Sequence, residues 1–169
     1  MENKTTNHFR VGIITASDLG AAGKREDTSA AVIRECMESA GGEIIAYKLL
    51  PDDREALAEA MRMMADTLKA DLILTTGGTG LSSRDVTPEA TLDVAERMVP
   101  GISEAMRTQS MQVTNRAMLT RGISCIRGRT LIINLPGSPK AVRECLEVVL
   151  PVLEHALEVL KDQARHCAR

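Results

Sequence analysis

Residues 71–80 read DLILTTGGTG, and the fold turns on that stretch. Asp71 to Thr76 (DLILTT) reads as a strand, its apolar and β-branched run the pattern of one covered on both faces in a parallel sheet. It empties into the glycines Gly77, Gly78 and Gly80 and a polar turn that reaches Asp85. Thr87 followed by Pro88 then marks a helix start, with Thr87 as N-cap and Pro88 at the first helical position, where a missing N–H leaves nothing unpaired. The unit is strand, glycine loop, helix.

The same alternation extends outward. Upstream, Arg10 to Ala16 (RVGIITA) is a short buried strand, and a loop from Ser17 to Asp27 follows. From Thr28 the apolar positions Ile33, Cys36, Met37 and Ala40 repeat at helical spacing, and Gly41-Gly42 ends the helix. Glu43 to Leu50 reads as a second strand. Pro51-Asp52-Asp53 opens a helix whose Leu57, Met61, Met64 and Leu68 form one stripe.

Downstream, Pro100 to Thr120 carries the weakest pattern, with a short helix expected from Ser103 and a second helical piece after it. Ile123 to Ile126 and Thr130 to Leu135 are separated by only Arg127-Gly128-Arg129, which predicts an antiparallel hairpin. A long helical pattern through Val142, Leu146, Val149, Leu153, Leu157 and Leu160 closes the chain. Pro151 interrupts it, and because proline costs about 3 kcal/mol in a regular helix interior, a kink or fresh start is expected near Leu150. The βαβαβα order predicts a three-layer α/β/α, Rossmann-like domain with a mixed, mostly parallel five-stranded sheet. It is expected to be a single domain over residues 1–169, with its core at about 10–162 and flexible ends at 1–8 and 163–169.

Composition narrows the function. Twenty-one basic residues against 23 acidic ones leave a net charge of −2, so no global field draws the chain to nucleic acid or anionic membrane. One Phe and one Tyr, Phe9 and Tyr47, leave no stacking platform for single-stranded nucleic acid. Cys36, Cys125, Cys145 and Cys167 lack zinc-ligand spacing and read as reduced thiols, with Cys36 and Cys145 on apolar helix stripes. His8, His155 and His166 have no companion nucleophile or metal set. The start from Met1 to His8 lacks a signal-peptide apolar region, and no run approaches the length of a membrane span, so a cytoplasmic protein is expected.

The glycine loop at the carboxyl edge of a parallel sheet has two readings. It is a tight turn needing positive φ, or a cradle in which backbone N–H groups and the Thr79 hydroxyl reach anionic oxygens. It is neither a P-loop nor a full dinucleotide fingerprint. Arg84 and Asp85 precede the Thr87-Pro88 helix start, where capping of the helix is one reading. Asp52 can be an N-cap, with Glu55 three residues on completing a capping box. Taken as a pair at one sheet edge, Asp52 and Asp85 also suit Mg²⁺, which is held by one or two carboxylates together with substrate phosphates. Pro136-Gly137-Ser138-Pro139 sets up a second helix N-terminus. Lys140 in its first turn opposes the helix dipole, which favours a ligand-facing role. Ser17-Asp18 is a further candidate, with a plain turn as the alternative.

Three separated segments, Leu74–Gly80, Ser83–Ala90 and Asn134–Ala141, together with Pro51-Asp52-Asp53, closely resemble the Mog and MoaB family of molybdenum-cofactor biosynthesis proteins over about positions 10–150. The resemblance implies a five-stranded mixed sheet and commonly a homotrimer, with a hexamer also open. It implies that molybdopterin and Mg-ATP react to give adenylylated molybdopterin and pyrophosphate. Asp52 and Asp85 correspond to acids important for that reaction. Ser17, Asp18, Thr76 to Gly80, Arg84, Thr87 and Pro136 to Lys140 become pterin- or nucleotide-binding elements. Lacking the long insertion of some Mog proteins, the chain looks more like the short MoaB type. A non-catalytic pterin carrier is the alternative, with hand-over to a molybdate-inserting enzyme implied in either case.

Overall fold

In a computed structural model, the structure describes residues 8–162. The ends expected to be flexible, 1–8 and 163–169, lie outside that range except for His8, as do His166 and Cys167.

Four parallel strands form one side of the sheet: β1 (Phe9–Ala16), β2 (Gly42–Leu50), β3 (Leu72–Thr76) and β6 (Thr130–Leu135). β5 (Ser124–Arg127) turns back on β6 as the antiparallel hairpin the sequence predicts, through Gly128 with φ 56°. β4 (Arg97–Met98) adds a sixth, antiparallel strand, giving the order β2-β1-β3-β6-β5-β4. Two residues are too few to carry a periodic signal, so the five-strand reading falls one short.

Alternation along the strands divides the core cleanly. Val11 and Ile13 of β1, Leu72 and Leu74 of β3, and Leu131 and Ile133 of β6 face one side. There they meet α2 (Thr28–Ser39), α5 (Pro100–Met111) and α6 (Pro139–Leu160) through Ile33, Met106, Leu146 and Leu153. Ile14, Ile73 and Ile132 face the other side, against Leu57 and Met61 of α3 (Arg54–Arg62) and Ala90 of α4 (Thr87–Leu92). α3 runs on into a π-helical turn at Met63–Thr67, which buries Met64.

Several local expectations change. The loop after β1 contains a one-turn helix, α1 (Asp18–Ala21), capped by the Ser17 hydroxyl. The weakly patterned segment holds the full twelve-residue α5, starting at Pro100 rather than Ser103, and a 3₁₀ turn at Asn115–Leu119. α6 continues through Pro151 without a fresh start. Pro151 and Glu147, whose carbonyl loses its helical partner, are both exposed, so water can satisfy that carbonyl. Val86, not Thr87, caps α4, because the Thr87 hydroxyl is committed elsewhere.

Candidate active site

β1 is followed by a neighbour on each side, β2 and β3, so the chain reverses its direction of travel across the sheet at the β1/β3 boundary. Ligands of open α/β sheets bind outside the carboxyl ends of the strands at such a point. A cleft of about 460 Å³ lies there. Its walls come from the segments after β1, β2, β3 and β6 and from the start of α2.

The glycine loop forms its floor. Gly77 has φ 85° and Gly78 φ 64°, and a Cβ on either would meet a neighbour at collision distance: Ala16 O at 2.3 Å from Gly77, Thr87 Oγ1 at 2.4 Å from Gly78. The turn reading of the loop therefore holds, since both glycines adopt positive φ and neither has room for a side chain. The Thr87 hydroxyl donates to Gly77 O (2.9 Å) and its N–H to Gly78 O (3.1 Å), which locks the loop onto α4. Thr76 Oγ1 donates to Pro136 O (2.6 Å), and Ser29 Oγ to Gly137 O (2.7 Å), joining the β3 and β6 loops to α2.

Behind the floor, the fully used side chain of Asn134 ties three elements together. Its Nδ2 donates to Thr75 Oγ1 and Thr91 Oγ1, both at 2.9 Å, and its Oδ1 accepts from Ile123 N. Arg121 staples the polar turn from the other side. Its Nε reaches Gly80 O and its Nη2 reaches Asp85 O, both at 2.7 Å, while Glu89 pairs with it. That arginine lies just past the weakly patterned Pro100 to Thr120 segment, and nothing in its sequence context announces the role.

The acids divide by what they do. Asp53, not Asp52, caps α3, accepting from Ala56 N at 2.8 Å. The capping reading of Asp52 is thereby removed. Asp52 and Asp18 instead exchange bonds: Asp18 N donates to Asp52 Oδ2 and Asp52 N to Asp18 Oδ1, each at 3.0 Å. Arg84 holds Asp18 bidentately at 3.0 and 2.9 Å, and this bond, with that from Asp52 N, pulls the Asp18 carboxyl below the usual aspartate value. Asp52 moves the opposite way. Its partial burial raises its carboxyl, and repulsion from Asp18 and Asp85 adds to that, against the bond from Asp18 N. Asp85 accepts from Ser82 N (2.9 Å) and edges the same cleft.

Asp52 and Asp85 both reach the glycine loop, since a Cβ on Gly78 would lie 3.1 Å from Asp52 Oδ1 and one on Gly80 2.9 Å from Asp85 Oδ2. Neither carboxylate has an ion-pair partner among the described residues. No three His, Cys, Asp or Glu converge among those residues as a closed cage requires. Two uncompensated carboxylates beside an open cleft match the donor set of Mg²⁺ completed by phosphate oxygens.

Of the residues singled out from the sequence, Ser17, Asp18, Asp52, Thr76, Gly77 and Gly78 line the cleft, and so do Asp85, Gly137, Ser138 and Pro139. Thr79 and Thr87 are buried supports, and Gly80 and Pro136 give carbonyls to the scaffold. Arg84 is committed to Asp18, and Lys140 is exposed outside the cleft walls. Sequence reasoning missed Arg25, Glu26 and Asp27 at the rim. Asp27 caps α2 through Ala30 N, a signal that an acid before the Thr28 helix start could have given. Its other oxygen accepts from Tyr47 (2.6 Å), whose hydroxyl burial and the Asp27 charge push up to about 12.

Fold and cleft together define the class: a three-layer α/β protein with its ligand site across the switch point at the carboxyl edge. Residues 12–155 match the family described as "Probable molybdopterin binding domain". The chain is 39% identical to a molybdopterin adenylyltransferase of Helicobacter pylori, over 90% of this chain and 88% of that protein. It superposes on the crystal structure of the molybdopterin biosynthesis enzyme MoaB from Thermus thermophilus with TM-score 0.87 and 51% identity, covering 91% and 97% of the two chains. A tungsten cofactor synthesizing MoaB from Pyrococcus furiosus gives TM-score 0.84 at 34% identity, covering 92% and 98%. The chain belongs to the molybdopterin-binding domain family of molybdenum-cofactor biosynthesis proteins.

Proposed function

We propose that this chain is a molybdopterin adenylyltransferase, an enzyme that activates molybdopterin for molybdenum-cofactor assembly with Mg-ATP as co-substrate. The observation that carries the reading is the pair of carboxylates without an ion-pair partner among the described residues, Asp52 and Asp85, each close to a glycine of a floor too tight for a side chain. A binding cleft alone does not need two uncompensated negative charges facing anionic ligands, because their mutual repulsion weakens binding unless a cation joins them.

In the reaction, the terminal phosphate oxygen of the pterin attacks the α-phosphorus of ATP. The bond from the α-phosphorus to the bridging oxygen breaks, and pyrophosphate leaves with the electron pair. Such a transfer needs alignment and charge neutralisation more than covalent help. Mg²⁺, when bound, supplies the neutralisation, and Asp52 and Asp85 are the residues that would hold it. The Gly77-Gly78 backbone lets phosphate oxygens approach closely. Ser17, Ser138 and the start of α6 offer polar contacts on the facing wall. Arg84 acts at one remove, keeping Asp18 charged so that Asp18 can fix the Asp52 loop. Thr79, Gly80, Thr87 and Pro136 hold the loops in place, and Lys140 contributes general positive charge near the mouth.

The test is to mix purified protein with molybdopterin and Mg-ATP and follow pyrophosphate and the adenylylated pterin. Stoichiometric product supports the enzyme; tight pterin binding without product identifies a carrier. A homotrimer completes the proposal. Met98, Met111, Val113, Met118 and Leu119 are exposed, whereas Met106 is buried in the core that α6 shares. Light scattering that finds only an 18.3 kDa species removes the assembly. Among the described residues no helix is long and apolar enough to cross a membrane, and a cytoplasmic enzyme handing its product to a molybdate-inserting partner fits the reading.

A further inference from the structure

Five carboxylates line the cleft, from Asp18, Glu26, Asp27, Asp52 and Asp85, and among the described residues Arg25 is the single lysine or arginine that lines it with them. Acids outnumber the cation in a site that must take a polyanion. The placement of Arg25 is fixed while its guanidinium is not. On one side of it, Gly23 N donates to Gly20 O and Lys24 N to Leu19 O, both at 2.9 Å, folding the loop onto α1 with Gly23 at φ 69°. On the other side, Asp27 is held doubly, by the cap bond to Ala30 N and by the Tyr47 hydroxyl.

Between these pinned ends Arg25 is exposed and has no ion pair or side-chain hydrogen bond among the described residues, even to the adjoining Glu26 and Asp27. Four arginines elsewhere in the chain are already spent on acids. Arg54, Arg84, Arg127 and Arg143 each grip a carboxylate at 3.0 Å or less.

We propose that Arg25 binds the β- and γ-phosphates of the nucleotide and receives the departing pyrophosphate. The proposal rests on the adenylyltransferase reading and specifies where in the cleft the polyphosphate lies. A polyanion entering among carboxylates finds its one cationic side chain among the described residues at the rim in Arg25, and a guanidinium fork matches two phosphate oxygens at once. The pterin's terminal phosphate shares this chemistry, so the two sources must be separated by measurement.

Arg25→Gln and Arg25→Lys are compared with the parent in KM for ATP, KM for molybdopterin, and inhibition by pyrophosphate and by AMP. The expected result for Arg25→Gln is a rise of about tenfold in KM for ATP, as for loss of one exposed charge-assisted contact, and a similar weakening of pyrophosphate inhibition. KM for molybdopterin and inhibition by AMP, which lacks the β- and γ-phosphates, stay within about twofold, and Arg25→Lys recovers part of the loss because the charge persists without the fork. Unchanged ATP and pyrophosphate parameters overturn the proposal, as does a rise confined to molybdopterin or an equal loss for AMP and pyrophosphate. If the parent forms no adenylylated product, the reaction reading fails by itself. Calorimetry of pyrophosphate with Mg²⁺ on parent and Arg25→Gln then still decides: weaker binding by the variant supports the assignment, and equal binding removes it.

Discussion

The two ends of the sheet each carry a hollow, and they differ in how their charges are spent. At the amino ends of β3 and β6, a hollow of about 560 Å³ is at least as large as the cleft at the carboxyl edge and is ringed by Lys69, Arg127, Arg129 and Lys161. Its charges are largely neutralised in place: Arg127 holds Asp66 at 2.6 Å, Lys161 holds Asp71 at 3.0 Å, and Arg129 holds Asp162 at 3.0 Å. At the carboxyl ends, Asp52, Asp85 and Arg25 share one cleft and are not paired with one another. Size therefore does not mark the site. What marks it is charge left uncompensated beside bare backbone and helix N-termini, since a folded protein without a ligand to bind gains stability by pairing such groups.

The comparison is broken most directly by removing the uncompensated charge. Asp52→Asn and Asp85→Asn are each expected to lower turnover by about two orders of magnitude or more, the scale of losing one electrostatic contact to a transition state. Asn keeps the size and an oxygen acceptor for Asp18 N and Ser82 N, so the thermal midpoint should stay within about 2 °C of the parent. Steady-state rates and a melting curve for each variant check this. Parental turnover in both variants would take the two acids out of the mechanism.

Most of this site is legible from the sequence because it is built from local signals. Gly77-Gly78, the Thr87-Pro88 start and the Ser138-Pro139 start each follow from backbone rules acting within four or five residues. What escapes is the work of side chains that join distant segments. The Asp52–Glu55 spacing points to Asp52 as the cap, and only the placement of Asp18 across the β1 and β2 ends shows that Asp53 caps while Asp52 faces the cleft. Arg121 reaches Gly80 and Glu89 across at least 32 positions, and Arg84 finds Asp18 across 66. β4 is missed for the opposite reason, because its pairing with β5 needs no pattern of its own.

A second, smaller effect sharpens the contrast within the cleft itself. Burial and two neighbouring acids raise Asp52, while Arg84 lowers Asp18. For Asp52 the folded value exceeds the unfolded one, so the folded protein is penalised at neutral pH for keeping it charged, and that penalty is relieved as pH falls through the raised value. For Asp18 the order is reversed: its contribution to stability is present above the unfolded aspartate value and is lost as pH falls through the lowered one. Acidification should therefore discharge Asp52 and depress turnover before it releases the Asp18–Arg84 pair and loosens the fold. Parallel pH profiles of turnover and thermal midpoint test the order. Carbon-13 titration of the Asp52 carboxyl should show its value falling in Asp85→Asn, because one repulsive neighbour is gone. An unchanged value would mean that Asp85 lies too far from Asp52 for the two to share a cation.

The smallest expected effect is the one that tests the far hollow. Arg129 and its partner Asp162 are 70% and 80% exposed, so their attraction is screened by water, and two long side chains give up rotational freedom to hold one geometry. Arg129→Ala should leave the thermal midpoint within about 2 °C of the parent, the range of a solvent-exposed pair. Turnover, KM for ATP and pyrophosphate inhibition should remain parental. Arg25→Gln removes an equally exposed positive charge from the other end of the same sheet, and there KM for ATP should rise. If net positive charge anywhere on the surface were what draws the nucleotide in, the two variants would lose affinity alike, and both losses would vanish together at high salt. If the difference lies in whether the charge is already spent, only the cleft variant responds, and part of its loss survives high salt because a directed guanidinium–phosphate contact is screened less than a long-range field.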